Sequence, residues 1–214
     1  MFKQLLSVFL ESRCLLCDRA TGETICLYCQ RKLSSYQGDN HSWQGDLPIF
    51  AWGKYDGSLK RAIAKLKYEG QSEIGKILGK WLGQTWKQNN LISGRNISVI
   101  PIPLHPEKLK TRGYNQAKII AEGFCQETGY YLQPNSLTRV RNTKAMFELN
   151  ALERISNLNN AFALGDRLPP YPVLILDDIY TSGTTVREAT RVLRQHRVKV
   201  IGVVIVAQTS KLET

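Results

Sequence analysis

Val173-Leu174-Ile175-Leu176-Asp177-Asp178-Ile179-Tyr180-Thr181-Ser182-Gly183-Thr184-Thr185 is the most informative stretch of this 214-residue chain. Its four leading apolar residues predict a strand buried on both faces, as in a parallel sheet. Two carboxylates, Asp177 and Asp178, stand at the C-terminal end of that strand, where open α/β sheets bind ligands. A small hydroxyl-rich turn follows, Thr181-Ser182-Gly183-Thr184, and a helix opens at Thr185. Such a turn can aim backbone N–H groups at an anion, and the helix N-terminus adds favourable partial charge. A phosphate site beside a pair of carboxylates suits a molecule with a phosphate at one end and vicinal hydroxyls at the other, a ribose 5-phosphate. A strand-loop-helix with an Asp N-cap explains one of the two acids, not both.

The pattern around this stretch alternates. Val99 to Pro103 and Lys199 to Val206 predict buried strands, and Asn115 to Thr128 and Thr185 to His196 predict helices, the first ended by Gly129. Tyr130 to Leu137 reads as a strand region interrupted by Pro134, and Ala151 to Asn157 as a short helix. Apolar strands separated by helices predict an α/β fold, a parallel sheet flanked by helices. Further upstream, Ile49 to Trp52 and Tyr55 predict a strand and turn ending at Asp56-Gly57. Leu59, Ala62, Ile63 and Leu66 mark one helix face, with Lys60, Arg61, Lys65 and Lys67 largely off it; Ile74, Ile77, Leu78, Trp81 and Leu82 mark a second helix. Asn89 to Gly94 is a break, and Ser34 to Leu47 is polar, a linker or long loop. The organisation read from this pattern is a small module at 1–35, a linker and helical region at 36–94, and an α/β core at 95–214.

Four of the five cysteines lie in the first module, as Cys14-Leu15-Leu16-Cys17 and Cys26-Leu27-Tyr28-Cys29. Paired CxxC knuckles supply four thiolates, the ligand set of a structural tetrahedral zinc site with no open position for catalysis. A single redox CxxC beside a βαβ unit is a different pattern. Cys125 stands alone in a predicted helix, where a buried thiol is the ordinary outcome.

Composition bounds the function class. Apolar residues make up 43% and charged residues 22%, which excludes a disordered chain, a collagen and a disulfide mini-protein. Lys and Arg number 29 against 18 Asp and Glu, a net charge of +11 that points to an anionic partner, such as nucleic acid, phosphates or an acidic surface, or to a solvated basic surface. The longest apolar run, Val200 to Ala207, is far short of the ~20 residues of a membrane-spanning helix. Phe2, Leu5, Leu6 and Phe9 repeat at helical spacing without a small-residue cleavage site, so the expectation is a packed helix, no membrane insertion and a cytoplasmic protein.

Two basic stretches could serve a pyrophosphate group. Pro101-Ile102-Pro103-Leu104-His105-Pro106 leads into Lys108, Lys110 and Arg112-Gly113-Tyr114-Asn115-Gln116. Arg139-Val140-Arg141-Asn142-Thr143-Lys144 forms a loop able to fold over a ligand. The candidate residues there are His105, Lys108, Arg112, Arg139, Arg141 and Lys144. Arg187, Arg191 and Arg194 fall at i, i+4 and i+7 of the last helix, a phosphate-tracking stripe for DNA or a solvated face. Tyr36, Trp43 and Tyr114 are aromatic residues that could stack on bases, although core packing is their more usual role.

The stretch from Val173 to Thr185 resembles the 5-phosphoribosyl-1-diphosphate (PRPP) motif of type I phosphoribosyltransferases. The resemblance implies that Asp177 and Asp178 bind the ribose hydroxyls and that Thr181, Ser182, Gly183, Thr184 and Thr185 hold the 5′-phosphate. The chain as a whole resembles the ComF family, also called ComFC or GntX-like. That resemblance rests on the cysteine module, Leu66-Lys67-Tyr68-Glu69-Gly70, the Pro-x-Pro-Leu-His strand end, Arg112 to Gln116, Arg139 to Thr143 and the PRPP motif, in order along nearly the whole chain. It implies a type I phosphoribosyltransferase-like domain with a zinc module, PRPP bound with Mg²⁺, and a role in DNA uptake during natural transformation alongside a helicase-like partner. One departure is Ala145-Met146, where the family often has Pro-Gln. Three readings stay open: an active phosphoribosyltransferase of nucleotide metabolism, a competence protein that handles single-stranded DNA, and a PRPP- or nucleotide-sensing domain without turnover. The sequence identifies no general base, and of His41, His105 and His196 only His105 lies near the expected site.

Overall fold

The computed structural model describes residues 12–37, 41–42, 45–92, 94–140 and 161–209. The expected helices at Phe2–Phe9 and Ala151–Asn157, together with Trp43, Arg141, Lys144, Ala145 and Met146, lie outside the described residues. The elements in chain order are α1 (Leu27–Ser34), β1 (His41–Ser42), β2 (Ile49–Lys54), α2 (Gly57–Tyr68), α3 (Ser72–Asn89), β3 (Ser98–Pro101), α4 (Pro106–Arg112), α5 (Gln116–Thr128), β4 (Tyr131–Leu132), β5 (Leu137–Arg139), β6 (Phe162–Leu164), β7 (Val173–Tyr180), α6 (Thr184–Gln195) and β8 (Val200–Gln208).

Six strands form one sheet in the order β1-β2-β8-β7-β3-β4, with every pairing parallel except β1 with β2. Strand β7 sits inside this sheet, between β8 and β3. That position explains why Val173, Leu174, Ile175 and Leu176 are all fully buried. Helices α2, α3 and α5 share one core cluster with Leu174, Leu176 and Val204; α6 covers the opposite face with Val173, Ile175 and Val203. The parallel sheet flanked by helices is the fold class expected from the alternation of apolar strands and helices.

Local signals set the helix limits. Asp56 caps α2 by accepting from the Gly57 N–H, and Asn115 caps α5 by accepting from the Ala117 N–H at 2.9 Å. Gly129 ends α5 in the left-handed conformation. Helices α3 and α5 press together closely because Gly79 and Gly123 face the partner backbone. A Cβ at either position would run into Ile120 O or Lys76 O.

The Tyr130 to Leu137 region divides into two strands that belong to different sheets. β4 pairs with β3 at the edge of the main sheet, and β5 pairs with β6 in a separate antiparallel ribbon. Pro134, which lacks an N–H, falls between them. The 36–94 segment contributes more than helices. Its strand β2 pairs with β8, so sheet residues come from both sides of residue 95.

The cysteine-rich segment packs directly on this body. Leu16, Ile25 and Leu33 are buried in the same cluster as Phe50 and Leu59. The chain leaving α1 runs along β2: the Lys54 N–H donates to Tyr36 O at 3.0 Å, and Gln37 bridges Gly53. Gln37 and Trp52 both donate to the buried Thr85 hydroxyl of α3, at 3.0 and 3.1 Å. No described helix is long and apolar enough to cross a membrane.

Candidate functional site

The parallel sheet brings the C-terminal ends of β7 and β3 side by side. Pro101 pairs with Leu176, and the Ile102 N–H donates to Leu176 O at 2.9 Å. The turn after β3 therefore starts beside Asp177 and Asp178. His105 in that turn caps α4, its Nδ1 accepting from the Glu107 N–H at 3.3 Å. Arg112 at the end of α4 hydrogen-bonds Gln116 and lies over the Tyr68 ring, 5.6 Å from its centroid. Asn115 donates to Ile102 O at 3.0 Å, and the Tyr114 hydroxyl donates to Leu66 O. These bonds tie the β3 turn, the loop after α4 and the end of α2 into one rim. Lys108 lies on α4, partly exposed.

Asp177 and Asp178 are both buried, 8% and 3% exposed, and their surroundings differ. Asp178 forms an ion pair with Lys67 of α2, Nζ to Oδ2 at 2.7 Å. Burial works against the Lys67 charge, but Asp178, through its charge and hydrogen bond, and then Asp177 outweigh it and raise the lysine pKa. Asp177 accepts the Asp178 N–H at 2.8 Å. Burial, and then the charge of Asp178, push the Asp177 pKa well above the usual carboxylate value. Arg139 of β5 interacts electrostatically with Asp177 and lies over the Phe162 ring at 5.5 Å. Two buried acids are thus served by cations from two distant segments.

Beyond the acids the backbone turns sharply. Gly183 adopts φ 72°, in the left-handed region, and stands as N-cap of α6. A Cβ there would collide with the Tyr180 hydroxyl and the Arg187 guanidinium. The Ser182 and Thr184 hydroxyls lie 2.8 Å apart, and Arg187 donates back to Ser182 O. Thr181 and Ser182 are exposed, and Thr184 and Thr185 open the helix. The arrangement is an exposed hydroxyl-bearing turn at a helix N-terminus next to two buried carboxylates.

The arginines of α6 do share a face. Arg187, Arg191 and Arg194 line a cavity of about 540 Å³ with Asp46, Leu47, Thr190 and Gln195. Two of them already have acid partners. Arg191 grips Glu188 with two bonds of 2.7 Å, and Arg194 bonds Asp46 Oδ2 at 2.6 Å and Asp46 O at 2.7 Å. Tyr36 and Tyr114 pack partly buried against the core.

The four cysteines of the first module come together, with Sγ atoms all within 4.8 Å of one another and no disulfide among them. Cys17 and Cys26 Sγ are 3.7 Å apart. Sulfurs at the corners of a tetrahedron with a metal–sulfur bond of about 2.3 Å are about 3.8 Å apart, so the cluster has the dimensions of a tetrahedral thiolate centre. Its knuckle is shaped by short bonds: the Cys14 N–H donates to Arg19 O at 2.9 Å and the Cys26 N–H to Cys14 Sγ at 3.3 Å. Burial opposes the Cys14 thiolate, but the backbone donors at Cys26, Leu16 and Cys17 outweigh it and lower its pKa to about 6. Burial and the neighbouring sulfurs raise that of Cys29. The cluster is able to hold one metal ion, in keeping with structural zinc. Cys125 is buried away from it in α5, its thiol pushed up to about 12 by desolvation.

Sequence reading missed Lys67 as a member of the strand-end site. Helical periodicity puts it largely off the apolar face of α2, yet its side chain is only 18% exposed and reaches Asp178. The Leu-Lys-Tyr segment was visible. Its partner, 111 positions away, was not.

The Phosphoribosyl transferase domain family matches residues 171–213, the segment that holds β7, the turn and α6. Competence protein F of Haemophilus influenzae is 26% identical over 91% of this chain and 96% of its own length. Competence protein ComFC of Streptococcus pneumoniae is 26% identical over 86% of this chain and 76% of its own. DNA utilization protein YhgH of Escherichia coli is 27% identical over 84% and 83%. Among solved structures, a hypoxanthine phosphoribosyltransferase of Staphylococcus aureus aligns with 67% of this chain and 71% of its own, at 17% identity and TM-score 0.38. UMP synthase of Leishmania donovani aligns with 70% of this chain and 24% of its own, at 18% identity and TM-score 0.38. Overlap at that level adds nothing to the strand order and the family match. The chain is a homologue of competence protein F, ComFC and YhgH, with a phosphoribosyl transferase domain at its C-terminal end and a four-cysteine cluster near its N-terminus.

Proposed function

We propose that this protein binds PRPP, with Mg²⁺ on the pyrophosphate, at Asp177 to Thr185, and that it works in the uptake or use of DNA. The observation that carries the reading is the pairing of two buried carboxylates with an exposed hydroxyl-bearing turn at the start of α6. Carboxylates accept from a ribose diol, and the turn offers N–H and O–H donors to a 5′-phosphate. Arg112 and Lys108, and Arg139 with Arg141 and Lys144, are the cationic groups proposed to serve the pyrophosphate end, with His105 beside them as a hydrogen-bonding group. The DNA role is carried over from the relatives, competence protein F, competence protein ComFC and DNA utilization protein YhgH. Cys14, Cys17, Cys26 and Cys29 are proposed to hold one structural zinc ion, which would pin the knuckle to β2 and α2.

A direct contact with single-stranded DNA is a second element of the proposal, supported by the +11 charge and the shared face of Arg187, Arg191 and Arg194. Three guanidinium groups stand there against two carboxylates, Glu188 and Asp46, so the local surplus is small. The experiment is a thermal-shift screen of the zinc-loaded protein with PRPP and Mg²⁺, with nucleotides, and with single-stranded DNA, each alone. Stabilisation by PRPP with Mg²⁺ is the expected result. Response to DNA or nucleotides with none to PRPP removes the phosphoribosyl reading.

A further inference from the structure

We infer that Lys67 is a positioning residue of the strand-end site, a built-in counter-ion that holds Asp178 in place and lets an anionic ligand approach the acid pair. The inference rests on the proposed PRPP reading and adds a residue to it from outside the C-terminal motif.

Two adjacent buried carboxylates form an unfavourable place for a phosphate-bearing molecule. At close range like charges repel strongly where water is scarce. A ligand carrying phosphates would meet that field before its hydroxyls reached the carboxylate oxygens. Lys67 alters this from within. Its ammonium stands 2.7 Å from Asp178 Oδ2, with both side chains largely shielded, 18% and 5% exposed. The position is fixed from behind, since the Tyr114 hydroxyl donates to Leu66 O and Leu66 is fully buried. The charged and titratable groups around the pair are Asp177 of β7, Tyr55 beyond β2, Tyr68 on α2 and Arg139 of β5, the last acting on Asp177. Lys67 is thus the cation placed on Asp178, and Arg139 serves the other acid.

This geometry also divides the acids by role. A lysine has three donors and occupies one oxygen of Asp178 here, and a carboxylate has about four acceptor sites. Asp178 can keep its pairing to Lys67 and still accept from a hydroxyl. Removing Lys67 would leave a buried charge without its partner, so the side chain would turn, take up a proton or draw in a cation.

The test is a double-mutant cycle read by calorimetry with PRPP at several Mg²⁺ concentrations. The variants are Lys67→Met, Lys67→Arg, Asp178→Asn and Lys67→Met with Asp178→Asn. If Lys67 acts through Asp178, Lys67→Met weakens PRPP at least tenfold at low Mg²⁺ and less at high Mg²⁺, where the ion supplies the missing charge. Lys67→Arg recovers part of the loss. The double variant binds no more weakly than Asp178→Asn alone. Fully additive losses with no Mg²⁺ dependence mean that Lys67 does not act through Asp178, and overturn the inference. Thermal melting of the four proteins without ligand checks that each is folded, and Lys67→Met should regain stability when Asp178→Asn is added. Wild type that gives no heat with PRPP overturns the phosphoribosyl reading itself; wild-type binding that Lys67→Met leaves unchanged overturns only this inference.

Discussion

The cysteine knuckle and the end of β7 are both built from short motifs, but they gather their partners differently. The knuckle is local. Its four sulfurs fall between Cys14 and Cys29, and its shaping hydrogen bonds run from the Cys14 N–H to Arg19 O, from the Leu15 N–H to Thr24 O and from the Cys26 N–H to Cys14 Sγ. The strand end is spread along the chain. Asp178 depends on Lys67, Asp177 interacts with Arg139, and the neighbouring turn follows β3. A local site is fixed by spacing within one short segment. A dispersed site is fixed only when the sheet and α2 have folded around it. The first should therefore fail as a unit, and the second one residue at a time.

The largest expected effect tests the local site. Removing metal with a strong chelator, or replacing Cys14 and Cys17 together by Ser, should unfold the knuckle and uncover Leu16, Ile25 and Leu33. Metal-binding free energies of structural zinc in peptides reach about 10 kcal/mol or more, so the melting temperature should fall by well over ten degrees. Elemental analysis should find close to one zinc per chain. A metal-free wild type with the same melting curve would make the knuckle self-supporting and erase the contrast.

Next comes the turn. Gly183→Val forces a side chain into the Tyr180 and Arg187 positions and into a left-handed φ. PRPP binding should be lost while metal content stays at the wild-type level. If binding survives, the turn does not hold the phosphate.

The two acids provide a sharper comparison, because their neutral variants should move stability in opposite directions. Asp177 has its pKa raised in the folded state, chiefly by burial and then by Asp178. A raised value means the folded protein holds that proton more tightly than the unfolded chain does. Its contribution to stability is complete below the unfolded value near 3.8 and is lost as pH climbs through the folded value. At pH 7, Asp177→Asn should therefore stabilise the ligand-free protein, although Arg139 loses its charge partner and offsets part of the gain, and the gain should vanish below about pH 4. Asp178→Asn should destabilise it, because Lys67 loses its partner. Denaturant melts at pH 4, 5.5 and 7 decide the matter, and shifts of the same sign would refute the division between the acids.

The smallest effect belongs to the arginine face of α6. Two of its three guanidinium groups are already paired, so replacing Arg187, Arg191 and Arg194 by Ala should flatten the salt dependence of single-stranded DNA binding by only about one unit. An unchanged slope takes this face out of any DNA contact.

This division also explains what the sequence made readable. The knuckle, the central strand and the acid–hydroxyl turn were legible because each is a contiguous pattern whose chemistry follows from spacing. The limits of α5 were legible because Asn115 and Gly129 are strong local stop signals. The β2 pairing with β8 could not be read, since Ile49 to Lys54 carries no mark of which strand it will join 154 positions further on. The split between β4 and β5 was half legible: Pro134 announced a break, but not that the second piece would pair with Phe162 to Leu164. Lys67 was hidden for a stronger reason. A lysine beside an apolar stripe ordinarily faces water, and only the arrival of Asp178 beneath α2 makes burial favourable. The arginine stripe shows the converse. Periodicity placed the three residues on one face correctly, but Asp46, far away in sequence, cancels part of the charge that made them attractive.

The most direct measurement is calorimetric titration of zinc-loaded wild type and Asp178→Asn with PRPP and Mg²⁺ under identical conditions. A hydrogen bond to a charged group contributes about 1.5–3 kcal/mol, so wild type should bind and the variant should bind about 10- to 150-fold more weakly. Equal affinity in the two proteins, or no binding by the wild type, would contradict the assignment of this strand end as a phosphoribosyl site.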